Sequence, residues 1–309
     1  MIFAAIACNV RTINEEGLLI KRNFAMFVTA TLLATSSAPG AIACAAVKEQ
    51  LQAGPRAKIV EVQDGDTVLL DNGMKVRLLG IQGPKFFQGR GGREIQIGHA
   101  GQEEKAGARD WPLAKEAKAA LVRIGLNRDV QLWFGGAQSD RHGRTLAHLF
   151  IDDDGTAGSG WVQGKLVALG LARVYSFVDN RACVQSLYAY ERQARIDRLG
   201  LWATSFYAVR NGHNPSEILE RAGFFEVVEG RVLNADRVGS RIYLNFGRYW
   251  KEDFTVVIET KRLKLFSAIG FDPLELEGAL VRVRGWVDVY DGPRVDVTHP
   301  EQIEVLARK

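Results

Sequence analysis

The sequence predicts an α+β protein with two domains, and three observations indicate this. In the first half, stretches that alternate apolar and polar residues are followed by segments with apolar residues at helical spacing. From Phe224 onward, alternation returns in short runs rich in β-branched and aromatic residues. A length of 309 residues exceeds what one compact core usually needs. We therefore expect a first domain over residues 57–209, a linker over 210–223 and a second domain over 224–309.

The composition is that of an ordinary globular protein. Hydrophobic residues make up 47% of the chain and charged residues 25%, which excludes the disordered and fibrous classes. The charge is unevenly distributed: residues 44–223 hold 24 Lys and Arg against 20 Asp and Glu, while residues 224–309 hold 13 against 14. The basic excess of the first domain is compatible with a polyanionic ligand.

Residues 1–46 have the pattern of an export signal. Lys21 and Arg22 precede an apolar run over residues 24–33, and small residues follow at 41–43. We expect a cleaved signal, a periplasmic or secreted protein, and no integral membrane span after signal removal. The alternative is a short membrane anchor, although the run is shorter than the roughly 20 residues needed to cross a bilayer. Lipid attachment at Cys44 is a less favoured alternative, because the preceding residues only loosely resemble a lipoprotein box.

Cysteine usage excludes two classes of site. The chain has only Cys8, Cys44 and Cys183, and the first would leave with the signal, so neither a disulfide framework nor a cysteine metal cluster can form. A bridge between Cys44 and Cys183 requires that signal cleavage leaves Cys44 in place.

The first domain begins with a predicted β-hairpin. Residues 58–70 and 75–81 alternate apolar and polar residues around the turn Asp71-Asn72-Gly73. Residues 112–124 have the spacing of an amphipathic helix that begins at Pro112 and stops at Gly125. The further predicted elements are strands at 130–134 and 146–152 and helices at 161–169 and 181–199.

Five motifs of this half occur in the order and spacing of a known family. They are Asp64-Gly65-Asp66-Thr67-Val68, Val76-Arg77-Leu78-Leu79-Gly80-Ile81, Asp140-Arg141-His142-Gly143-Arg144, Leu166 to Val174, and Gly200-Leu201-Trp202. Over residues 57–202 the chain resembles the staphylococcal (micrococcal) nuclease, or thermonuclease, family. One Asp-Gly-Asp-Thr alone is a common turn, so the resemblance depends on the ordered set. It implies an OB-type five-stranded β-barrel with helices that hydrolyses DNA or RNA phosphodiesters.

The resemblance also implies roles for individual residues. Asp66 would be a carboxylate ligand of Ca²⁺, the cofactor of the family. Arg77 and Arg144 would be catalytic residues that clamp the phosphate, since a planar guanidinium donates two parallel hydrogen bonds to phosphate oxygens. Asp64 and Asp140 are interpreted as turn residues rather than ligands.

The motif after Arg77 departs from the family. Where the family has Asp-Thr-Pro-Glu, this chain has Gln82-Gly83-Pro84-Lys85. Gln82 would take the place of the second metal ligand, but its amide brings no charge, so Ca²⁺ affinity should fall. Lys85 stands where the water-activating glutamate belongs, and an ammonium is a poor base. Lys85 could instead offset the missing cation or hold a nucleic acid that is not cut.

Two further residues are candidates for nucleic-acid contact. His142 lies two positions before Arg144 and could exchange protons near neutral pH; a surface turn histidine is the favoured alternative. Tyr175 falls near positions where the family carries ligand-stacking tyrosines, and barrel packing is an equal alternative. Between Phe86 and Trp111 the chain is polar, glycine-rich and long for a connection, which is typical of a functional or mobile loop.

The second domain is predicted to contain five short strands with one short helix at residues 261–269. This layout resembles a second small OB-type barrel. A net charge of −1 disfavours nucleic-acid binding here, so we favour a structural role or a protein partner.

Three functions follow from these observations: an exported Ca²⁺-dependent nuclease, a catalytically inactive nucleic-acid binder with a degenerate site, and an envelope interaction module that touches no nucleic acid. The replacements at Gln82 and Lys85 separate the first from the second. Binding at low salt separates the second from the third.

Overall fold

The computed structural model describes residues 47–86, 111–151, 160–249 and 251–308, all within one compact unit. The predicted export signal and most of the connection between Phe86 and Trp111 lie outside these ranges. Within them, no helix is both long enough and apolar enough to cross a membrane.

A closed barrel of five strands forms the core of the first half. The strands of this half are β1 (Gln52–Asp64), β2 (Thr67–Leu70), β3 (Lys75–Leu78), β4 (Ile81–Gln82), β5 (Asp129–Phe134), β6 (Thr145–Ile151) and β7 (Arg173–Val174). The barrel order is β1-β2-β3-β6-β5, with β3 and β6 parallel, and β4 and β7 form a separate antiparallel ribbon. The predicted OB-type five-stranded barrel is confirmed.

The first predicted strand differs from the structure. The alternating stretch over residues 58–70 is two antiparallel strands, β1 and β2, that reverse direction at Gly65 and Asp66. The hairpin turn at residues 71–73 is present between β2 and β3. Alternation continues across the reversal, so the apolar pattern alone does not reveal it.

Three helices cover the barrel, close to the predicted positions. They are α1 (Ala114–Gly125), α2 (Val162–Ala168) and α3 (Val184–Ile196). The apolar side chains of α1 and α2, such as Leu121 and Leu166, join inward residues of the strands, such as Ile59 and Leu132, in one buried core. Alternate strand residues and one face of each helix supply this core, as the two periodicities predict.

The second half forms a curled sheet. Its strands are β8 (Arg210–Asn211), β9 (Phe225–Arg231), β10 (Asn234–Val238), β11 (Arg241–Asn245), β12 (Thr255–Glu259), β13 (Leu280–Val289), β14 (Pro293–Val297) and β15 (Ile303–Ala307). The order is β10-β11-β12-β14-β13-β9-β8, and β15 pairs with β13. Only Val232 and Leu233 separate β9 from β10. Taken as one bent strand, β9 and β10 give the strand order of the first barrel, with β12 and β14 as its parallel pair. Outside that order, β8 lies parallel to β9.

Short helices complete this half. They are α4 (Pro215–Leu219), α5 (Leu263–Ser267) and 3-10 turns at Thr260–Arg262, Pro273–Leu276 and Pro300–Gln302, with two more 3-10 turns at Gly200–Ala203 and Ser205–Tyr207 between the halves. The segment predicted as a linker, residues 210–223, therefore contains β8 and α4. The predicted domain boundaries stay predictions, because the described residues pack as one unit.

Buried polar contacts join the barrel to the second sheet. Arg284 of β13 donates to both carboxylate oxygens of Glu191 on α3, at 3.1 and 2.9 Å, and to the carbonyl of Val174 at 3.2 Å. Arg181 makes a two-pronged pair with Glu301, at 2.7 and 2.8 Å. The Arg284 pair is shielded from water, whereas the Arg181 pair is partly exposed. Both are matched in geometry, so the two halves are held in a fixed arrangement.

Candidate functional site

The turn between β1 and β2 places two aspartates at the end of the barrel. The backbone amide of Asp66 donates to Oδ1 of Asp64 at 2.9 Å, which fixes the turn as predicted for an Asp. A Cβ on Gly65 would lie 2.9 Å from the Cβ of Ala117, and a Cβ on Gly83 would lie 2.9 Å from the backbone of Gly65. Two glycines thus allow α1, the turn and the segment after β4 to meet.

Asp66 is fully buried and each of its oxygens is engaged by protein donors. Oδ2 accepts from the amide of Gly83 at 2.7 Å and lies 3.2 Å from the guanidinium of Arg77. Oδ1 accepts from Nζ of Lys85 at 2.5 Å and from the hydroxyl of Thr67 at 3.2 Å. A buried carboxylate requires such partners, because an unpaired charge away from water is very costly.

Lys85 bridges the two aspartates. Its ammonium lies 2.5 Å from Asp66 and 3.2 Å from Oδ2 of Asp64, and 27% of its side chain is exposed. Burial would raise the pKa of Asp64, but the Lys85 ammonium, the hydrogen bond from the Asp66 amide and the charge of Arg77 together outweigh it and hold that pKa well below the usual range. Burial raises the pKa of Asp66, and Arg77 and Lys85 oppose that rise. The carboxylate form of Asp66 therefore depends on these two cations.

Arg77 is a buried member of this cluster and faces inward. Its terminal nitrogens donate to the carbonyls of Leu78 and Ile81 at 2.9 and 2.8 Å, and to Oε1 of Gln82 at 3.1 Å. Gln82 in turn donates to the carbonyl of Gly83 at 3.2 Å. The amide oxygen expected to help hold a metal is thus directed at a guanidinium.

The donor set does not fit the Ca²⁺ that the family resemblance implies. Ca²⁺ takes about six to eight oxygen ligands, with carboxylates supplying negative charge. Here Asp64 and Asp66 are balanced by Arg77 and Lys85, and the oxygens of Asp66 and Gln82 face cationic donors. In the described ranges, no three His, Cys, Asp or Glu residues are grouped so that they could hold a metal. The cluster is a neutral ion-pair network with an ammonium bridging its two carboxylates.

Arg144 lies in the loop between β5 and β6. Its Nε donates to Oδ2 of Asp140 at 2.7 Å, and 21% of its side chain is exposed. Oδ1 of Asp140 accepts from the amides of His142 and Arg144, both at 2.9 Å, so Asp140 holds the turn as predicted. His142 lies exposed on that turn, with Nε of Arg141 3.0 Å from its Nε2. The contacts of Arg144 are with this turn, while those of Arg77 are with the Asp66 cluster.

Tyr175 lies where the barrel meets the second sheet. Its ring packs edge-on against Phe177 and Phe225, at centroid distances of 4.7 and 4.9 Å, and its hydroxyl accepts from the indole of Trp286 at 3.2 Å. These contacts match the packing alternative for Tyr175. Its contact with nucleic acid stays a prediction, as do the proposed roles of Arg77, Arg144 and His142.

The structure thus brings Asp66, Arg77, Gln82 and Lys85 together, as the motif order predicts. No sequence pattern indicated the amide of Gly83, because its hydrogen bond depends on the close approach of two backbones. Thr67 was part of the motif, and its hydroxyl could have been interpreted as a donor to the neighbouring carboxylate.

Comparison with known proteins agrees with the barrel fold. Residues 75–204 match the family described as staphylococcal nuclease homologue. A thermonuclease of Staphylococcus hyicus is 26% identical over 149 residues, which are 47% of this chain and 75% of that protein. The endonuclease YncB of Bacillus subtilis is 28% identical over 156 residues, covering 49% and 63% of the two chains. A micrococcal nuclease of Shigella flexneri is 27% identical over 154 residues, covering 48% and 74%.

Proposed function

We propose that this chain, whose residues 75–204 match the staphylococcal nuclease homologue family, binds nucleic-acid phosphodiesters without hydrolysing them. The observation that carries the proposal is the Lys85 ammonium, 2.5 Å from Asp66 and 3.2 Å from Asp64. It supplies a positive charge beside the two carboxylates without a metal. It also replaces the carboxylate that would activate water, so the family's hydrolytic chemistry loses its base.

Two partly exposed cations are the proposed contacts to phosphate. An ammonium has three N–H donors, and the carboxylates of Asp64 and Asp66 take up two of those of Lys85. The third can donate to a phosphate oxygen. Arg144 uses Nε for Asp140, and its terminal nitrogens can form the two-pronged contact that guanidinium makes with phosphate. Arg77 holds Asp66 in place and acts through it.

Hydrolysis is the competing function, and the relatives favour it, since two of them are named thermonuclease and micrococcal nuclease. It requires that Lys85 leaves Asp66 and that a divalent cation enters with Gln82 turned away from Arg77. The contacts of Asp66 and Gln82 oppose both movements.

The test is to measure binding and cleavage with the same full-length protein. Fluorescein-labelled single-stranded DNA and RNA are titrated at several KCl concentrations, and cleavage is followed on gels with Ca²⁺, Mg²⁺ or Mn²⁺. We expect salt-dependent binding and no cleavage. Lys85→Met or Arg144→Met should weaken binding and lower the salt slope by about one, whereas Lys58→Met, at an exposed site on β1, should change neither much.

Two outcomes would contradict the proposal. Metal-dependent cleavage that Asp66→Ala abolishes would make the protein a nuclease. Absence of binding at low salt would favour an interaction module in which the domain holds a different partner.

Export to the periplasm or outside the cell is the second part of the proposal. It is supported by the basic residues Lys21 and Arg22 and by the apolar run at 24–33 that they precede. Cell fractionation together with N-terminal sequencing of the purified native protein tests it. A cytoplasmic protein with an intact N-terminal segment would contradict it.

A further inference from the structure

The strand that carries Gln82 is held from its far side by the second sheet. Gln82 in β4 pairs with Arg173 in β7. The guanidinium of Arg173 is buried, donates to the carbonyl of Phe225 and lies 3.7 Å from the carboxylate of Glu226. Phe225 and Glu226 begin β9, so the ribbon next to the candidate site is tied to the first strand of the second sheet.

The segment Gln82–Lys85 is also held at its other end, the Lys85 end, by contacts that lead to Arg173. The carbonyl of Lys85 accepts from the amide of Trp111 at 2.9 Å, and the carbonyl of the next residue, Pro112, accepts from the hydroxyl of Tyr207 at 3.0 Å. The guanidinium of Arg173 lies 5.0 Å from the centre of the Tyr207 ring. The contacts form a closed ring: from Gln82 to Lys85, then Trp111 and Pro112, then Tyr207, then Arg173 and back to Gln82.

This closed ring of contacts is stiff because its charged residue, Arg173, and the partner of Arg173, Glu226, are buried. Glu226 is fully buried, and Arg210 and Arg221 approach it at 3.5 and 2.8 Å in addition to Arg173. Trp111 packs against Phe206 and Phe224, with ring centroids 6.5 and 5.8 Å apart. An ion pair away from water loses much when it moves, so Arg173 has one favourable position.

We propose that the junction between the barrel and the second sheet serves to position Lys85, with Tyr207 and Arg173 as the positioning residues and with Phe225 and Glu226 of the second sheet holding Arg173. The segment Gln82–Lys85 is short and is anchored at both ends by the ring, which keeps the ammonium against Asp66 and Asp64. Loss of either anchor lets the segment shift and frees the ammonium. The consequence for binding rests on the proposed function, whereas the placement of Lys85 can be measured without a ligand.

The test measures how fast the amine of Lys85 is acylated. The full-length protein is treated with an acetylating ester, and the modified fraction of Lys85 is read by mass spectrometry relative to Lys58, an exposed lysine. Tyr207→Phe keeps the aromatic ring against the guanidinium of Arg173 and removes only the hydroxyl. We expect Lys85 to react roughly two- to tenfold faster, the factor that corresponds to one lost hydrogen bond.

A matched control exists in the same interface. Tyr188 donates its hydroxyl to the carbonyl of Glu301, across the junction of barrel and second sheet but outside the ring. Tyr188→Phe should lower thermal stability and leave the labelling of Lys85 unchanged. A second pair of variants repeats the comparison with the charge retained: Arg173→Lys is the test and Arg181→Lys is the control. Arg181 lies in the same interface, where it makes a two-pronged contact with Glu301.

Equal labelling of Lys85 in the Tyr207, Arg173 and control variants would overturn the inference. If the ring variants alone raise labelling, positioning is supported, and an oligonucleotide titration of the same variants then shows a matching loss of affinity. If labelling rises and no variant, nor the native protein, binds an oligonucleotide, the positioning role stands and the proposed function fails.

Discussion

Exchanging the two residues that replace the family's carboxylates should convert the ion-pair network into a Ca²⁺ site. In the native protein, Asp64 and Asp66 face Arg77 and Lys85, so the cluster has no net charge to attract a cation. Gln82→Asp with Lys85→Glu adds two carboxylates and removes the ammonium, which brings the net charge of the cluster to −3. The oxygens that contact Lys85 Nζ then become available to a metal.

The expected affinity is modest because the protein supplies few ligands. A dissociation constant on the order of 10⁻⁴ to 10⁻³ M is typical of weak Ca²⁺ sites in proteins. At about tenfold excess over the dissociation constant, Ca²⁺ should stabilise the double variant by about 1.4 kcal/mol. Isothermal titration calorimetry measures the binding, and thermal unfolding with Ca²⁺ or a chelator measures the stabilisation. Neither assay depends on a nucleic acid.

Three control proteins define the result. Native protein should give no calorimetric signal, Gln82→Asp alone should give little because Lys85 still bridges Asp64 and Asp66, and Lys58→Glu alters the charge of an exposed site away from the cluster. Equal Ca²⁺ affinity in the native protein and the double variant would refute the reasoning. It would mean that the ammonium moves aside at no cost.

Two further predictions concern stability. Glu191→Gln leaves the buried guanidinium of Arg284 with a weaker partner, so the free energy of unfolding in urea should fall by about 3 kcal/mol, whereas Glu275→Gln, in an exposed pair, should cost under about 0.5 kcal/mol. A comparable loss in both variants would contradict this. Burial lowers the pKa of His299 to about 4 from 6.5, so the unfolded chain binds a proton first as pH falls through 6.5, and stability should decline towards pH 4. His299 should contribute about 1 kcal/mol to the decline between pH 6.5 and 5.5, and the His299→Gln variant should lack this contribution. Equal pH profiles of the two proteins would show that His299 is not the cause.

The periodicity of the sequence was enough to place most long elements. Helix α1 begins two residues after Pro112 and ends at Gly125, and β13 occupies residues 280–289, because long runs with a clear period have one favourable structure. The strand β10 was not predicted, since most of its residues are exposed and do not alternate. The strands β4 and β7 have two residues each, which is too short for a periodic pattern, and they are defined by pairing with one another across the chain.

The residues that form the candidate site could be predicted from the sequence, but the directions of their side chains could not. The family resemblance implied that Asp66, Arg77, Gln82 and Lys85 belong to one site. Sequence could not show that Arg77 donates inward to carbonyls and to Gln82, because a long side chain takes its direction from tertiary packing. The ring through Tyr207 and Arg173 was equally hidden, since it joins residues that are far apart in the chain.

The changes at positions 82 and 85 are best understood as one change. With the family's aspartate and glutamate at these positions, the cluster would hold four carboxylates against Arg77, and only a divalent cation could balance that excess. With Gln82 and Lys85, the charge is balanced within the protein, and the amide also accepts a hydrogen bond from Arg77. Changing either residue alone would leave an incomplete set of metal ligands. Gln82→Asp adds a carboxylate, but the ammonium of Lys85 still occupies Asp64 and Asp66. Lys85→Glu creates an excess of negative charge with too few oxygen ligands for a metal. The pair therefore stabilises the metal-independent cluster together, which is why the double variant, and neither single variant, is expected to bind Ca²⁺ with measurable affinity.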